Sequence, residues 1–208
     1  MYKNIVFDLG NVLVMYYPEK VLRKYLDDDD DVRLLMREFY GRGVINDTDR
    51  GVKTYEEIIE ECRPYIPDKL VALLKRLYVE SCYGCNEMPP FPEMYGLVKK
   101  LKENGYHVYL LSNAGRDFYV YSKKFPVLNL MDGTVISSDY KQLKPEPEIY
   151  KTLFEKYFLT PSECIFIDDM QRNIDGALKC GMDGICFSPS FEDASVLIEK
   201  LRSKNIKI

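Results

Sequence analysis

The chain has 208 residues, of which 46% are hydrophobic and 30% charged, a composition typical of a globular protein that excludes disordered and collagen-like chains. The formal net charge of -4 comes without any long basic run, which argues against nucleic acid as a partner. No stretch approaches the roughly 18 to 20 apolar residues of a membrane span, so we expect a cytoplasmic protein without a membrane partner. We also expect it to be a monomer or a small homo-oligomer.

The first predicted element is a buried strand that ends in a charge. In the stretch IVFDLGNVLV, branched apolar residues precede Asp8, and Gly10 and Asn11 follow it. A short apolar run of this kind is typical of a strand in a parallel sheet. Because a carboxylate at the end of a buried strand is costly without a partner, we expect Asp8 to have a chemical role. Asparagine favours turns, so Asn11 is expected to lie in one.

Residues 16–84 change character, because helix-period patterns replace strand-like runs. Apolar residues at spacings of three and four occur in PEKVLRKYL, VRLLMREFY, KTYEEIIEEC and PDKLVALLKRLYVESC. We expect residues 16–84 to form a small helical domain, and residues 1–15 and 85–208 to form the core. The acidic run from Asp27 to Asp31 is expected to be a solvated loop that leads into a helix N-terminus.

From Pro89 onward, predicted helices and strands alternate. The strands are YHVYLLSN, TVISS, ECIFIDD and DGICF, and a helix near FEDASVLIEKLRSK closes the chain. Parallel strands need crossover connections, so the predicted fold class is α/β: a doubly wound, mostly parallel sheet with a small inserted helical domain. A helix is also predicted from Asp117. Gly105 and Gly181 are placed to end helices in the left-handed conformation.

Polar residues follow the carboxyl ends of four predicted strands. They are Asp8 after the first strand, Ser112 and Asn113 after the second, Ser137 to Asp139 with Lys144 after the third, and Asp168 and Asp169 after the fourth. Ligands of open parallel sheets bind outside the carboxyl ends of the strands. We therefore expect these side chains to converge on one crevice.

The residue types at these strand ends suit a phosphate group and a divalent cation. Mg2+ is usually held by one or two carboxylates plus a substrate phosphate, and Asp8 and Asp169 supply two carboxylates. Phosphoryl transfer requires charge neutralisation, which the Lys144 ammonium, the Ser112 hydroxyl and backbone N–H groups can provide. A carboxylate in line with phosphorus can attack it and form an aspartyl phosphate, and Asp8 is placed for that role.

These motifs resemble those of the haloacid dehalogenase (HAD) superfamily of hydrolases, which has a Rossmann-like core. The matching segments, in the family's order, are FDLGNV with Asp8, LLSNAG with Ser112, SSDYKQLKPEPEIY with Lys144 and FIDDMQRNIDGA with Asp169. The helical stretch resembles the C1 cap of the family. The DLGNV form resembles a subgroup that includes glucose-1-phosphate phosphatase-like enzymes.

The resemblance implies a role for each matching residue. Asp8 would be the nucleophile, and Mg2+ would be held by the carboxylates of Asp8 and Asp169 and the carbonyl of Gly10. Ser112 and Lys144 would bind the phosphate and take part in catalysis.

Three neighbouring positions carry further expectations. Asp168 would belong to the metal shell, although it also suits a hydrogen bond to the helix start near Met170. Asn113 suits a backbone N–H contact with phosphate. Asn173 stands where many relatives carry another acid.

Gly10 stands where most phosphatases of the family carry a second aspartate, which protonates the leaving oxygen. General acid–base help is typically worth about 10² to 10⁴ in rate, so its absence favours an acidic leaving group such as that of a sugar 1-phosphate. Two alternatives remain open: a metal-independent 2-haloacid dehalogenase, and a non-catalytic HAD-fold binding module. The retained pair Asp168 and Asp169 favours a Mg2+-dependent phosphatase.

Substrate choice is expected to come from the cap, since the core site recognises only phosphate and metal. Tyr16 and Tyr17 are the predicted substrate contacts, because tyrosine can stack on a sugar face and hydrogen-bond its hydroxyls. Asp47 and Arg50, in a predicted polar loop between cap helices, are weaker candidates. A lid that closes over the crevice excludes large ligands, so the expected substrate is a small phosphorylated metabolite.

The 6 cysteines include one close pair, Cys82 and Cys85 in CYGC, and the 1 histidine is His107. A zinc site would need a second pair or further histidines. We therefore expect reduced thiols, with a redox or metal role for the pair as the alternative.

Overall fold

A computed structural model describes residues 1–84 and 88–208, and for residues 80–84 it describes the backbone alone. The thiol pair Cys82 and Cys85 and the expected domain boundary between residues 84 and 85 therefore lie outside the described side chains. Cys62, Cys164, Cys180 and Cys186 are free thiols. Within the described ranges, no helix has both the length and the apolar character of a membrane span.

Five parallel strands form one sheet. They are β1 Asn4–Phe7, β2 His107–Ser112, β3 Gly133–Ile136, β4 Cys164–Asp168 and β5 Asp183–Cys186. Their order across the sheet is β3-β2-β1-β4-β5. Phe7 at the end of β1 pairs with Leu110 of β2 and with Ile167 of β4, so β1 is central. The strand order reverses direction beside β1, which opens a crevice at the carboxyl ends there.

The helices follow the predicted pattern closely. The described α-helices are α1 Pro18–Leu22, α2 Asp29–Leu35, α3 Ile45–Asp49, α4 Tyr55–Cys62, α5 Asp68–Gly84, α6 Pro92–Glu103, α7 Phe118–Tyr121, α8 Ser137–Tyr140, α9 Pro147–Tyr157, α10 Gln171–Lys179 and α11 Ala194–Ser203. A π-helical turn over Met36–Gly41 continues α2. The predicted doubly wound α/β fold is confirmed.

Apolar residues cover both faces of the sheet. Ile5 and Phe7 pack on one face with Leu97 of α6 and Leu197 of α11. On the opposite face, Val6 packs in a second cluster that includes residues of α9 and α10. Successive side chains of a strand point to opposite faces, so a strand covered on both sides must be apolar throughout. This is why Ile5, Val6 and Phe7 of β1 are all apolar.

The helical segment between β1 and β2 packs a core of its own. Leu22 of α1, Leu35 of α2, Ile58 of α4 and Leu74 of α5 belong to this third cluster. The acidic run behaves as predicted at its start, where the Asp28 side chain caps α2 by accepting the Asp30 N–H. The division of the chain into residues 1–15, 16–84 and 85–208 stays a prediction.

One local prediction was wrong. The interval around Asp47, predicted as a polar loop, contains the helix α3, which is too short to show a helical period. Its Thr48 hydroxyl donates to the Ile45 carbonyl at 2.6 Å. The helix predicted from Asp117 is present as the short α7, with Asp117 as its N-cap, and the chain then continues into 3-10 turns and meets Pro126.

Gly51 belongs to the helical segment of residues 16–84, which we call the cap segment, and it lies against Ser138 of the core. Its φ is +70°, and a Cβ added there would lie 2.5 Å from the Ser138 carbonyl oxygen. We expect Gly51→Ala to lower the free energy of unfolding by about 3 kcal/mol, because strain at positive φ adds to a backbone clash. Urea unfolding of the purified variant measures this.

Gly105 offers a matched control for Gly51. Its φ is +86°, as predicted for a helix end, and an added Cβ would meet nothing within 4 Å. Gly105→Ala should therefore cost only about 1 kcal/mol, the backbone part of the effect. Equal losses in both variants would contradict the close approach at Gly51.

Candidate active site

Asp8 lies directly after the central strand, at the carboxyl edge of the sheet. Its backbone N–H donates to the Ile167 carbonyl at 2.9 Å, which extends the pairing of β1 with β4 by one residue. Its Oδ1 accepts the Leu9 N–H at 2.7 Å. The residue is only 9% exposed. The strand end thus carries a buried carboxylate, as predicted from the sequence.

Lys144 is a buried cation between two aspartates. Its Nζ lies 2.7 Å from Oδ1 of Asp8 and 2.8 Å from Oδ2 of Asp168. Burial acts to lower the pKa of Lys144, but the charges of Asp168 and Asp8 outweigh it and raise that pKa. Lys144 therefore stays charged and neutralises part of the site.

Asn113 holds the backbone of Lys144. Its side-chain oxygen accepts the Lys144 N–H at 2.8 Å, and its amide donates to the Lys144 carbonyl at 3.1 Å. From the sequence we expected only a backbone contact with phosphate here. The amide joins residues 31 positions apart in the chain, so nothing local in the sequence indicates it.

Both oxygens of the Asp168 carboxylate accept hydrogen bonds. Oδ1 accepts the Met170 N–H at 2.8 Å, and Oδ2 accepts from Lys144 at 2.8 Å. The Asn173 amide reaches both oxygens, at 2.9 and 3.0 Å. An acid at position 173 would repel Asp168 where the amide donates to it. This set of contacts makes Asp168 a fixed support for Lys144.

Asp169 is half-buried beside Asp168 and contacts the loop after β1. Its Oδ2 accepts from the Asn11 amide at 3.3 Å. Asn11 has a φ of 54°, in agreement with the predicted turn. Its side-chain oxygen also accepts the Tyr16 N–H at 2.9 Å, so one asparagine orders the loop and contacts the acid.

The three carboxylates of Asp8, Asp168 and Asp169 form one cluster, with ligand atoms within 4.8 Å of one another. Burial raises the pKa of Asp8 to about 7, although the Lys144 ammonium opposes the rise and the other two aspartates add to it. Burial and the charge of Asp168 likewise raise the pKa of Asp169. One ammonium leaves an excess of negative charge, which a divalent cation would offset.

The geometry of this cluster fits Mg2+. Oxygen ligands lie about 2.0 to 2.1 Å from Mg2+, so ligands on opposite sides are roughly 4 Å apart. The ligand atoms of Asp8 and Asp169 lie within 4.8 Å of each other, close enough for one cation to contact both. Gly10, whose carbonyl was predicted as a ligand, lies in the loop between Asp8 and Asn11 and lines the adjoining cavity.

A cavity of about 150 Å³ lies between the core and the cap segment, beside Leu9 and Gly10, the two residues that follow Asp8 in the chain. Its walls include Gly10, Ser112, Asn113, Gly115 and Asp117 of the core and Tyr16, Tyr40, Asp49, Tyr55 and Tyr78 of the cap segment. Ser112 ends β2 and is 3% exposed. The structure thus brings Ser112, Asn113 and Tyr16 together in the wall of one cavity.

Three other predicted contacts lie outside this lining. Tyr17 is close to Asp169, and burial together with that charge raises the pKa of its phenol. Asp47 forms an ion pair with Lys53 at 2.9 Å, and Arg50 forms one with Glu146. Asp47 and Arg50 therefore secure the cap segment and are not brought to the cavity.

The comparison with protein families identifies the chain. Residues 2–181 match the family described as haloacid dehalogenase-like hydrolase. The chain belongs to this family. The superfamily predicted from the four motifs is confirmed, and the protein is a HAD-like hydrolase.

Relatives of this hydrolase include enzymes of two kinds. The chain is 25% identical over 193 residues to the D-ribitol-5-phosphate phosphatase of Bacteroides thetaiotaomicron, covering 88% of this chain and 90% of that one. It is 28% identical over 100 residues to the (S)-2-haloacid dehalogenase 4A of Burkholderia cepacia, covering 48% of this chain and 43% of that one.

A solved structure of a HAD family enzyme from B. thetaiotaomicron is also similar along its whole length. That structure is a complex with magnesium and inorganic phosphate, and it superposes on this HAD-like hydrolase with a TM-score of 0.69. The two chains are 26% identical, and the match covers 95% of this chain and 99% of that one.

Proposed function

We propose that this HAD-like hydrolase is a Mg2+-dependent phosphatase that cleaves a small phosphomonoester through an aspartyl phosphate on Asp8. The observation that carries the proposal is the cluster of three carboxylates, two buried and one half-buried, with one buried ammonium. An excess of buried negative charge suits a divalent cation and has no use in halide displacement. The relatives that act on D-ribitol 5-phosphate or bind magnesium and phosphate support the same class.

Asp8 is the proposed nucleophile. Its Oδ1 is held by the Leu9 N–H and by Lys144, which fixes the plane of the carboxylate. We assign Oδ2 to the attack on phosphorus. When bound, Mg2+ supplies neutralisation of the phosphate charge, held by Asp8 and Asp169 with the Gly10 carbonyl.

Ser112 and Lys144 are the proposed phosphate ligands of the chain itself. Ser112 ends β2, the strand that pairs with β1, while Asp168 holds the Lys144 ammonium and Asn113 holds the Lys144 backbone. A preorganised cation costs no reorganisation as charge develops on the phosphoryl oxygens. Asp168 acts in this scheme by positioning Lys144, as part of the shell around the metal.

The cap is proposed to select a small sugar or polyol phosphate. Tyr16 is in the cavity wall and Tyr17 lies near Asp169, which supports a role for both in contacting an ester held over Asp8. The absence of an acid at Gly10 favours 1-phosphates, unless another residue supplies the proton to the leaving oxygen. Residues 16–84 would form the cap domain over residues 1–15 and 85–208.

Metal dependence is the direct test of this proposal. We expect phosphate release from sugar and polyol phosphates to require Mg2+ and to stop with EDTA. Asp169→Asn should raise the Mg2+ concentration for half-maximal rate by about 100-fold, because it removes a ligand and a charge. The Mg2+-induced rise in melting temperature should shrink in parallel, a measurement independent of turnover.

Asp175→Asn is the matched control for Asp169→Asn. Asp175 is exposed on α10, where its carboxylate accepts from Gln171 at 2.8 Å, away from the cluster. This variant should keep the wild-type Mg2+ requirement. Chloride release from a 2-haloacid with EDTA present, and no phosphate release from any ester, would replace the phosphatase proposal with a dehalogenase.

A further inference from the structure

The end of α3 rests on the loop that follows β2. The Ser137 hydroxyl donates to the Asp49 carbonyl at 2.5 Å and accepts the Ala114 N–H at 2.9 Å. A Cβ added to Gly115 would lie 3.2 Å from the Thr48 carbonyl oxygen. Hydrogen bonds of the Ser137 hydroxyl therefore link the Asp49 backbone to Ala114, in the loop that follows Ser112.

Further contacts fasten this segment to the core. Arg50 forms an ion pair with Glu146 and donates to the Lys141 carbonyl at 2.9 Å. Arg116 donates to the Gly51 carbonyl at 3.2 Å. These contacts hold Asp49 in one place relative to the core, although it belongs to the cap segment.

The Asp49 side chain lines the same cavity as Gly10 and Ser112. Burial and the charge of Asp117 raise the pKa of Asp49 to about 7, and the Lys144 ammonium opposes the rise. The phenols of Tyr16 and Tyr55 also face this carboxylate. A large fraction of Asp49 thus carries a proton at neutral pH, the state that a general acid needs.

We propose that Asp49 is the proton donor to the leaving oxygen, in place of the acid that is missing at Gly10. The proposal rests on the phosphatase function proposed above and adds a catalytic residue to it. It also widens the substrate class to esters of ordinary primary alcohols, such as polyol phosphates, because their leaving oxygen then receives a proton.

In the proposed reaction, the proton that Asp49 gives up in the first step returns to it in the second. In the first, Asp8 forms a bond to phosphorus, the bond from phosphorus to the alcohol oxygen breaks, and that oxygen takes the Asp49 proton. In the second, the oxygen of a water molecule forms a bond to phosphorus and the water gives a proton back to the Asp49 carboxylate, the bond from phosphorus to the Asp8 oxygen breaks, and inorganic phosphate leaves with Asp8 regenerated.

The test compares two leaving groups in wild type and Asp49→Asn. Nitrophenolate leaves without a proton, whereas a polyol alkoxide needs one. We expect Asp49→Asn to lower kcat on a polyol phosphate by about 10² to 10⁴, and on p-nitrophenyl phosphate by less than about 5-fold. Activity on the nitrophenyl ester also shows that the variant is folded.

Two further variants sharpen the test. Asp47→Asn, on the same helix but ion-paired with Lys53, should leave both activities near wild type. Gly10→Asp in the Asp49→Asn background should restore turnover of the polyol phosphate. A Cβ at Gly10 fits, since its nearest neighbour would be Tyr16 Cβ at 3.6 Å.

The pH profile gives an independent readout. Because Asp49 acts in its protonated form, kcat on the polyol phosphate should fall as pH rises through about 7 in wild type. Asp117→Asn should move that fall to lower pH, because the charge of Asp117 raises the pKa of Asp49.

The outcomes separate the two proposals. An equal loss on both esters in Asp49→Asn, with an active wild type, would overturn the role of Asp49 and leave the phosphatase proposal intact. A wild type that hydrolyses neither ester with Mg2+ would overturn the phosphatase proposal and this one with it.

Discussion

Asp8→Asn is expected to lower phosphate release by about 10⁴-fold or more while the chain stays folded. An amide in place of the carboxylate cannot form the aspartyl phosphate, and loss of a nucleophile usually costs most of the rate enhancement. Initial rates of phosphate release at saturating Mg2+ measure the effect. A variant that keeps more than about 1% of the wild-type rate would remove Asp8 as the nucleophile.

The same substitution should not destabilise the metal-free protein. Burial raises the pKa of Asp8 to about 7, so its charged form opposes folding when no cation is bound. A raised carboxyl pKa means that stability is lost as pH rises from about 4 to 7. Asp8→Asn removes that charge, and its unfolding free energy in EDTA should therefore exceed that of wild type at about pH 8.

Lys144→Met is expected to abolish turnover and to lower the unfolding free energy of the metal-free protein by about 3 to 5 kcal/mol. The side chain of Lys144 is 1% exposed and contacts Asp8 and Asp168. Removing one partner of a buried ion pair leaves the other charge uncompensated in a poorly solvated place. Two carboxylates would be left in this state.

The loss in Lys144→Met should depend on pH and on metal. The Lys144 ammonium lowers the pKa of Asp8, so its removal raises that pKa further. The cost should therefore be larger at about pH 8, where more of Asp8 is charged, than at about pH 5. Mg2+ should stabilise the variant more than it stabilises wild type, because the cation meets one more uncompensated charge. Urea unfolding in EDTA and in Mg2+ measures both effects.

Lys99→Met provides the surface control for Lys144→Met. Its ammonium is 3.8 Å from Glu103, and its side chain is 60% exposed. Such a pair contributes little, so the unfolding free energy should change by about 0.5 kcal/mol or less. If Lys144→Met lost the same stability at both pH values, its cost would come from packing and not from uncompensated charge.

The strand ends could be predicted from the sequence because they are a local property. Apolar runs ending in Asp8, Ser112 and Asp168 are visible in the sequence, and parallel strands necessarily bring their carboxyl ends to one edge. The family match confirms the superfamily that these motifs indicated. The contacts that each side chain makes at that edge do not follow from the strand ends alone.

Contacts between residues that are far apart in the chain could not be predicted from the sequence. Asn113 holds Lys144 across 31 positions, and Asn11 contacts Asp169 across 158. Neither asparagine has a local pattern that distinguishes it from an ordinary turn residue. Asn173 stands out in the sequence only because relatives carry an acid there, and its two hydrogen bonds to Asp168 depend on the tertiary packing.

Asp49 shows the same limit most clearly. It lies in the polar run NDTDR on a helix of five residues, shorter than the span over which a helical period can be detected. Only the docking of α3 on Ser137 and Gly115 brings its carboxyl group to the cavity beside Gly10.

The sequence by itself determined the strands, the fold class, the inserted helical segment and the residues at the edge of the sheet. Periodicity and strand-end chemistry act over a few neighbouring residues, so one chain is enough to show them. The tertiary structure alone decided the partners of Lys144, the burial that raises the pKa of Asp8, and the acid that faces the cavity from the cap. Those features depend on which distant segments meet, and a local pattern carries no information about that.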